Sequence, residues 1–90
     1  MMKQNYINGA WLDGASTTAN INPSNTDDVI GYYAQADAQQ AELAIAAASA
    51  AAPGWALSNI QVRADALDKI GTEILARKEE LGTLLSREEG

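Results

Sequence analysis

The C-terminal third of the chain has a hydrophobic pattern with helical spacing. Large aliphatic side chains recur about every 3.6 residues between residues 59 and 90, and charged residues fill the other faces. The aliphatic positions are Ile60, Leu67, Ile70, Ile74, Leu81, Leu84 and Leu85. This pattern predicts an amphipathic helix or a helix pair over residues 59–89, and the spacing alone leaves both open. A stripe of this length requires another surface to pack on, and the 58 residues before it offer little.

Residues 1–36 carry signals for strands and turns. The dipeptide Asn8-Gly9 lies between two short apolar segments, which is a strong signal for a hairpin. Residues 17–21 form a weaker strand pattern that ends before Pro23, and a β-prone run follows over residues 29–34. We therefore expect several short strands joined by polar turns.

Capping patterns predict where the helices begin. Asp37 is placed to cap an alanine-rich helix, and Gln40 completes a capping-box pattern three residues later. We expect this helix to cover residues 37–52 and to end at Pro53 and the glycine after it. Ser58 with Gln61 repeats the capping-box pattern and predicts the start of the next helix.

Composition indicates a weak hydrophobic core for a self-sufficient domain. The hydrophobic fraction is 47%, but 18 of the 90 residues are alanine and none is phenylalanine. Burial of an alanine gains far less than the roughly 1.5–3 kcal/mol of a larger aliphatic side chain. The balance is marginal for an independent fold of this size and ordinary for one part of a larger fold. We expect the two tryptophans to anchor such a core.

Charge and residue types exclude several functions within these residues. The net charge of −6 argues against binding of nucleic acid or of an anionic membrane surface, and no apolar run is long enough to span a membrane. We expect a cytoplasmic protein. The absence of Cys and His excludes a thiolate nucleophile and the commonest general base. The glycines show no spacing for a phosphate-binding loop.

Three acidic segments are the remaining candidates for chemistry. Adjacent carboxylates at residues 27–28 and 79–80 point to different faces of a strand or helix, so we interpret both pairs as solvated surface. Residues 88–90, EEG, lie at a predicted helix end, where free carbonyl groups can bind a hard cation. None of these segments forms an active site.

The order of several segments resembles the start of the NAD(P)-dependent aldehyde dehydrogenase superfamily. Residues 6–11, YINGAW, match the family's (Y/F)INGxW opening, and residues 21–25, INPSN, match its NP-containing segment. The alanine-rich helix before Trp55, the pair Arg63-Ala64 and the RKEEL segment at residues 77–81 follow in the family's order. Residues 88–90 match the beginning of the family's ExGK motif, so we expect the chain to continue. The SREEG segment also resembles the branch that acts on 2-oxoglutarate semialdehyde and related acidic aldehydes.

The resemblance implies an α/β fold of the aldehyde dehydrogenase type, with short N-terminal strands and a hairpin followed by two or three α-helices. Residues 1–90 then form the N-terminal part of the dinucleotide-binding domain, with strands and turns over 1–36 and a helix break near Arg77-Lys78. The catalytic and oligomerisation regions are expected outside this segment. So are the catalytic cysteine, the glutamate that activates water and the residues that bind NAD or NADP.

The resemblance also implies partners and one minor site. The expected partners are the remainder of the same chain, an aldehyde substrate and further copies in a homodimer or homotetramer. By position, the family's monovalent cation site falls on the backbone oxygens of Asn20 and Ile21 and on the region of Glu88.

Two functions from different classes follow. In the first, the segment is the scaffold of an enzyme that oxidises an aldehyde to a carboxylic acid, and it is inactive by itself. In the alternative, it is a free-standing small α+β interaction module that exposes its alanine helix to a partner.

Overall fold

Five short strands precede three helices in the computed structural model, which describes residues 2–90. The strands are β1 Met2–Lys3, β2 Asn5–Ile7, β3 Ala10–Leu12, β4 Ser16–Ile21 and β5 Val29–Gln35. The helices are α1 Ala38–Ala56, α2 Ile60–Ala76 and α3 Lys78–Glu89. This order confirms the predicted fold class, and the C-terminal third contains two helices.

The predicted hairpin is formed by β2 and β3. Asn8 and Gly9 make the turn, with φ values of 51° and 78°, and both strands pair antiparallel around them. Positive φ at both central residues is the geometry of a type I′ turn, which Asn-Gly favours. Tyr6 lies directly opposite Trp11, and their ring centroids are 4.8 Å apart.

The other three strands form a sheet in the order β1-β5-β4. β4 and β5 pair antiparallel, whereas β1 adds parallel to the other edge of β5. The register shifts between Asn20 and Ile21, which pair with Gly31 and Val29 respectively and leave Ile30 as the additional residue on β5. A bulge of this kind locally disrupts the ladder of backbone hydrogen bonds.

The start of α1 confirms one half of the predicted capping box. Asp37 is the N-cap residue, and its Oδ1 accepts a hydrogen bond of 2.8 Å from the Gln40 N–H. The Gln40 side chain does not return to Asp37. Its Nε2 donates to the Asp13 carbonyl at 2.9 Å and its Oε1 accepts from Asn5 at 2.8 Å. Gln40 therefore joins the helix to β2 and to the loop after β3.

The predicted end of the first helix is wrong, because α1 continues through Pro53 to Ala56. Proline lacks an N–H and so removes one hydrogen bond of the helix, but its carbonyl still accepts one. Leu57 donates to the Pro53 carbonyl at 3.1 Å, which closes the last turn. The boundary at residue 52 is therefore corrected to residue 56.

The predicted cap of the second helix is also wrong by one residue. Asn59 is the N-cap of α2, and its Oδ1 accepts from the Gln61 N–H at 2.8 Å. Ser58 instead donates from Oγ to the Trp55 carbonyl at 2.6 Å, so it completes the end of α1. The Gln61 side chain donates to Asp65 and not to the cap.

The predicted break near Arg77-Lys78 is confirmed. Arg77 lies between α2 and α3 with φ −108° and ψ 19°, and its N–H donates to carbonyls of the last turn of α2. Its guanidinium forms an ion pair with Glu80 in the first turn of α3. The hydrophobic spacing continues across Arg77, although the helical conformation of the backbone is interrupted there. The spacing alone therefore could not distinguish one helix from two.

Residues 2–90 contain no buried hydrophobic side chain. The radius of gyration is 16.7 Å, whereas a compact domain of this length has about 12 Å. The tryptophans do not form a core within this segment, since Trp11 is 64% exposed and Trp55 is 52% exposed, so their role as anchors of a larger core stays a prediction. The elements form a layer whose smallest dimension is 17 Å, with apolar side chains on its open faces.

Candidate functional site

The end of α3 is fixed to the turn between β4 and β5 by a paired arginine and aspartate. Arg87 Nη2 lies 2.6 Å from Asp28 Oδ1, and Arg87 Nε lies 3.0 Å from Asp28 Oδ2. This two-bond geometry is the strongest arrangement of an arginine and a carboxylate. Hydrogen bonds from Arg87 and then from Asn22 lower the pKa of Asp28 to about 2. Asp28 is therefore ionised at neutral pH, and its hydrogen bonds fix the orientation of its carboxylate.

Asn22 organises the turn around this pair. Its Nδ2 donates to Asp28 Oδ2 at 3.2 Å, and its Oδ1 accepts from the Ser24 N–H at 2.9 Å. Its backbone N–H donates to the Asp28 carbonyl at 3.0 Å. Ser24 Oγ in turn donates to the Gly90 carbonyl at 2.8 Å. We call Asn22, Ser24, Asp28, Arg87 and Gly90 the turn–helix cluster.

The three residues of the predicted cation site lie on the elements that this cluster joins. Asn20 and Ile21 are at the register shift of β4, and Glu88 is in the last turn of α3. Asn20 is half-buried, whereas Ile21 and Glu88 are exposed. No group of three or more His, Cys, Asp or Glu residues that could hold a metal occurs in the described part of the chain. Because the predicted ligands are mainly backbone oxygens, the cation site stays a prediction.

The sequence patterns missed the most connected acidic residue. Asp28 was interpreted as solvated surface together with Asp27, yet it is half-buried and binds two side chains. Arg87 carried no signal either, because its partner lies 59 positions away and spacing along one element cannot find it. Glu80 is exposed as expected and pairs with the nearby Arg77.

An open cavity of about 620 Å³ lies between α3 and the sheet. Ile30, Tyr33 and Leu84 are among its apolar lining residues, and Lys3 and Arg87 are among its charged ones. It contains no thiol or imidazole, since the chain has neither. The cavity has the character of an incompletely covered packing surface and not of a reaction site.

The glycines of the described residues do not form a phosphate-binding loop. They lack the spacing that such a loop requires. Two of the glycines closest to other atoms, Gly14 and Gly90, face the backbone of Gln35 and the side chains of Pro23 and Ser24. Among residues 2–90 no helix is long and apolar enough to cross a membrane.

Comparison with known proteins gives the family of the chain. The sequence model described as the aldehyde dehydrogenase family matches residues 11–90. This chain belongs to the aldehyde dehydrogenase family. The predicted membership in this family is therefore confirmed.

Several relatives cover nearly the whole segment. It is 35% identical over 89 residues to an alpha-ketoglutarate semialdehyde dehydrogenase of Haloferax volcanii, covering 97% of this chain and 18% of that protein. It is 33% identical over 90 residues to an N-succinylglutamate 5-semialdehyde dehydrogenase of Burkholderia thailandensis, covering 99% and 18%. A 1-pyrroline-5-carboxylate dehydrogenase of Bacillus subtilis is 34% identical over 84 residues, covering 93% and 16%.

A solved structure has the same arrangement of strands and helices. The structure of 3,6-anhydro-L-galactose dehydrogenase in complex with NAP superposes with a TM-score of 0.89 at 33% sequence identity. The match covers 98% of this chain and 19% of that chain. The chain thus spans less than a fifth of the length of these family members, and its flat, coreless shape is that of a part of their larger fold.

Proposed function

We propose that this chain is the N-terminal scaffold of an NAD(P)-dependent enzyme that oxidises an aldehyde to a carboxylic acid. The observation that carries the proposal is the match of residues 11–90 to the aldehyde dehydrogenase family. The names of two relatives, both semialdehyde dehydrogenases, support an acidic semialdehyde of the 2-oxoglutarate type as the substrate. The similar solved structure is a complex with NAP, which supports a nicotinamide dinucleotide as the cofactor.

The segment's part in this function is structural. It has no cysteine to attack the aldehyde, and the doubly hydrogen-bonded ion pair of Asp28 with Arg87 joins α3 to the turn between β4 and β5. The nicotinamide cofactor, when bound by the remainder of the protein, supplies the acceptor for the hydride. The chain's own contribution is a layer of strands and helices whose exposed apolar faces pack against the rest of the domain.

The assignments of the domain and of the oligomeric state rest on the same family relation, and the cytoplasmic location rests on the composition of the chain. Residues 1–90 form part of the dinucleotide-binding domain, and the protein works in the cytoplasm as a homodimer or homotetramer. A free-standing interaction module is not supported by any observation, because a module of this size requires a core of its own, and residues 2–90 contain no buried hydrophobic side chain.

A monovalent cation is proposed at Asn20, Ile21 and Glu88. The support for this proposal is the position of these residues in the family, together with the register shift beside Asn20 and Ile21, where the ladder of backbone hydrogen bonds is irregular. The test is anomalous scattering from crystals of the purified enzyme grown with rubidium or caesium. An anomalous peak near these three residues supports the site. The absence of a peak, with only a water molecule at hydrogen-bond distance from their oxygens, contradicts it.

Enzyme assays test the function itself. The purified enzyme that contains this segment is expected to reduce NAD or NADP in the presence of 2-oxoglutarate semialdehyde, while residues 2–90 alone produce no reduced cofactor. A neutral aldehyde of similar length is the matched control for the acidic substrate. Equal activity on both aldehydes contradicts the substrate class, and no activity on any aldehyde with either cofactor contradicts the enzyme assignment.

A further inference from the structure

The tip of the β2–β3 hairpin combines an asparagine with a following glycine in an exposed turn. Asn8 and Gly9 are both exposed, and a Cβ built on Gly9 meets no atom within 4 Å. Asn8 is the one residue other than glycine with positive φ in the described part of the chain. The Gly9 nitrogen is therefore unhindered on its own side, since glycine carries no side chain to obstruct an attacking atom.

We propose that Asn8 is a site of spontaneous deamidation that converts the hairpin turn to isoaspartate. The Gly9 backbone nitrogen attacks Asn8 Cγ and forms a new C–N bond, while the bond from Cγ to the side-chain nitrogen breaks. Ammonia leaves with the proton of the Gly9 nitrogen, and a succinimide ring remains. Water then adds to either ring carbonyl and opens the ring to aspartate or to isoaspartate, with no change in oxidation state.

The turn geometry makes hairpin opening part of this reaction. A planar five-membered ring holds the Asn8 ψ torsion at a value that differs from the one in a type I′ turn. The ring can therefore form only after the tip leaves its paired conformation. β2 and β3 have three residues each and form a separate two-stranded sheet, which needs packing against another element for its stability. The hydrogen bond from Asn5 to Gln40 of α1 lies at the end of the hairpin away from the turn. Opening at the tip is thus accessible without unfolding of the other sheet.

The product has a defined structural consequence. Isoaspartate adds one methylene group to the main chain and removes it from the side chain. Ile7 and Ala10, which pair on either side of the turn, then lose their register, and the contact between Tyr6 and Trp11 beyond them is lost. Aspartate at the same position keeps the main-chain length, so it changes charge without changing the turn.

The other asparagines of the chain are internal controls. They are Asn5, Asn20, Asn22, Asn25 and Asn59, each followed by a residue with a side chain or by proline. The purified protein is incubated at mildly alkaline pH, digested and analysed by mass spectrometry, with isoaspartyl methyltransferase as the probe for isoaspartate. Faster conversion at Asn8 than at all five others supports the proposal, and conversion at Asn8 no faster than at these residues overturns it.

Two variants test the opening step and the consequence. Trp11→Ala removes an aromatic pair and is expected to raise the rate at Asn8 about two- to tenfold, with the other asparagines unchanged. An unchanged rate at Asn8 overturns the opening step. In the intact protein, the isoaspartate form is expected to lose protection from hydrogen exchange in the peptide that carries β2 and β3, whereas Asn8→Asp keeps it. The same protection in both forms overturns the structural consequence.

Discussion

Separation of residues 2–90 from the rest of the enzyme is the most direct test of the scaffold interpretation. The segment exposes 7003 Å² of surface, whereas a compact monomer of 9.5 kDa exposes about 5,000 Å². The excess is about 2,000 Å², well above the roughly 800 Å² that one partner contributes to a typical stable interface. Its covering by the remaining chain is therefore an integral part of folding.

The excess surface is large relative to the stability of a domain. If a little over half of it is apolar, as on protein surfaces in general, about 1,100 Å² of apolar area lacks a partner. At about 25 cal/mol per Å², the missing burial corresponds to a hydrophobic free energy on the order of 30 kcal/mol. Whole domains are stable by about 5–15 kcal/mol. We therefore expect the isolated segment to form a molten or aggregating species.

Calorimetry and small-angle scattering measure this outcome. The isolated segment is expected to bind a hydrophobic dye, to show no cooperative melting transition and to have a radius of gyration above 16.7 Å. The control is the same segment co-expressed with the remainder of the enzyme, which is expected to restore a cooperative transition. A sharp two-state melt of the isolated segment, with the same radius as the structure, would refute the reasoning.

Five substitutions in the intact protein test three local features. Asp28→Asn is expected to weaken the attachment of α3 at neutral pH. Because the pKa of Asp28 in the folded protein is lowered to about 2, the wild-type protein is expected to be more stable than the variant above the ordinary pKa of 3.8. This difference in stability disappears as the pH falls towards 2, which acid denaturation of both proteins measures. Gly14→Ala is expected to lower the melting temperature, since its Cβ would lie 2.7 Å from a backbone nitrogen of β5. In the control Gly82→Ala, the new Cβ meets no atom of the described residues, and helix propensity is expected to stabilise α3 by about 1 kcal/mol. Equal effects of the two substitutions on the melting temperature would contradict the packing argument. Asn59→Ala is expected to lower the free energy of unfolding, measured by urea denaturation, by about 1 kcal/mol, because it removes the N-cap of α2. Ser58→Ala is expected to lower it less, and the reverse order would show that Ser58 is the cap.

Local chemistry determined which parts of the fold could be predicted. The Asn8-Gly9 turn and the Asp37 cap were found because each depends on atoms within a few positions along the chain. The end of α1 was mispredicted because Pro53 was treated as a stop, although a proline blocks one hydrogen bond and not the turn that follows. Competition between neighbouring cap residues, Ser58 and Asn59, is likewise not resolved by residue type.

The turn–helix cluster could not be predicted from spacing. Asp28 and Arg87 belong to separate elements, and nothing in the pattern of either one indicates the partner. The hydrophobic pattern, in contrast, indicated that the helices need a further packing surface. Its stripe over residues 59–89 predicted a surface to pack on, and the structure shows that the described residues do not supply it.

The long connection between Ser24 and Gly90 has a consequence during synthesis on the ribosome. β4 and β5 pair within about twenty residues, so they can associate early, but the contacts that hold α3 join residues 59 to 66 positions apart. The end of α3 must leave the exit tunnel before it can close onto the β4–β5 turn. This closure leaves most of the aliphatic stripe uncovered, since Ile60, Leu67 and Ile70 are all more than half exposed in the folded segment. A chaperone would therefore have access to the stripe until the remainder of the protein covers it.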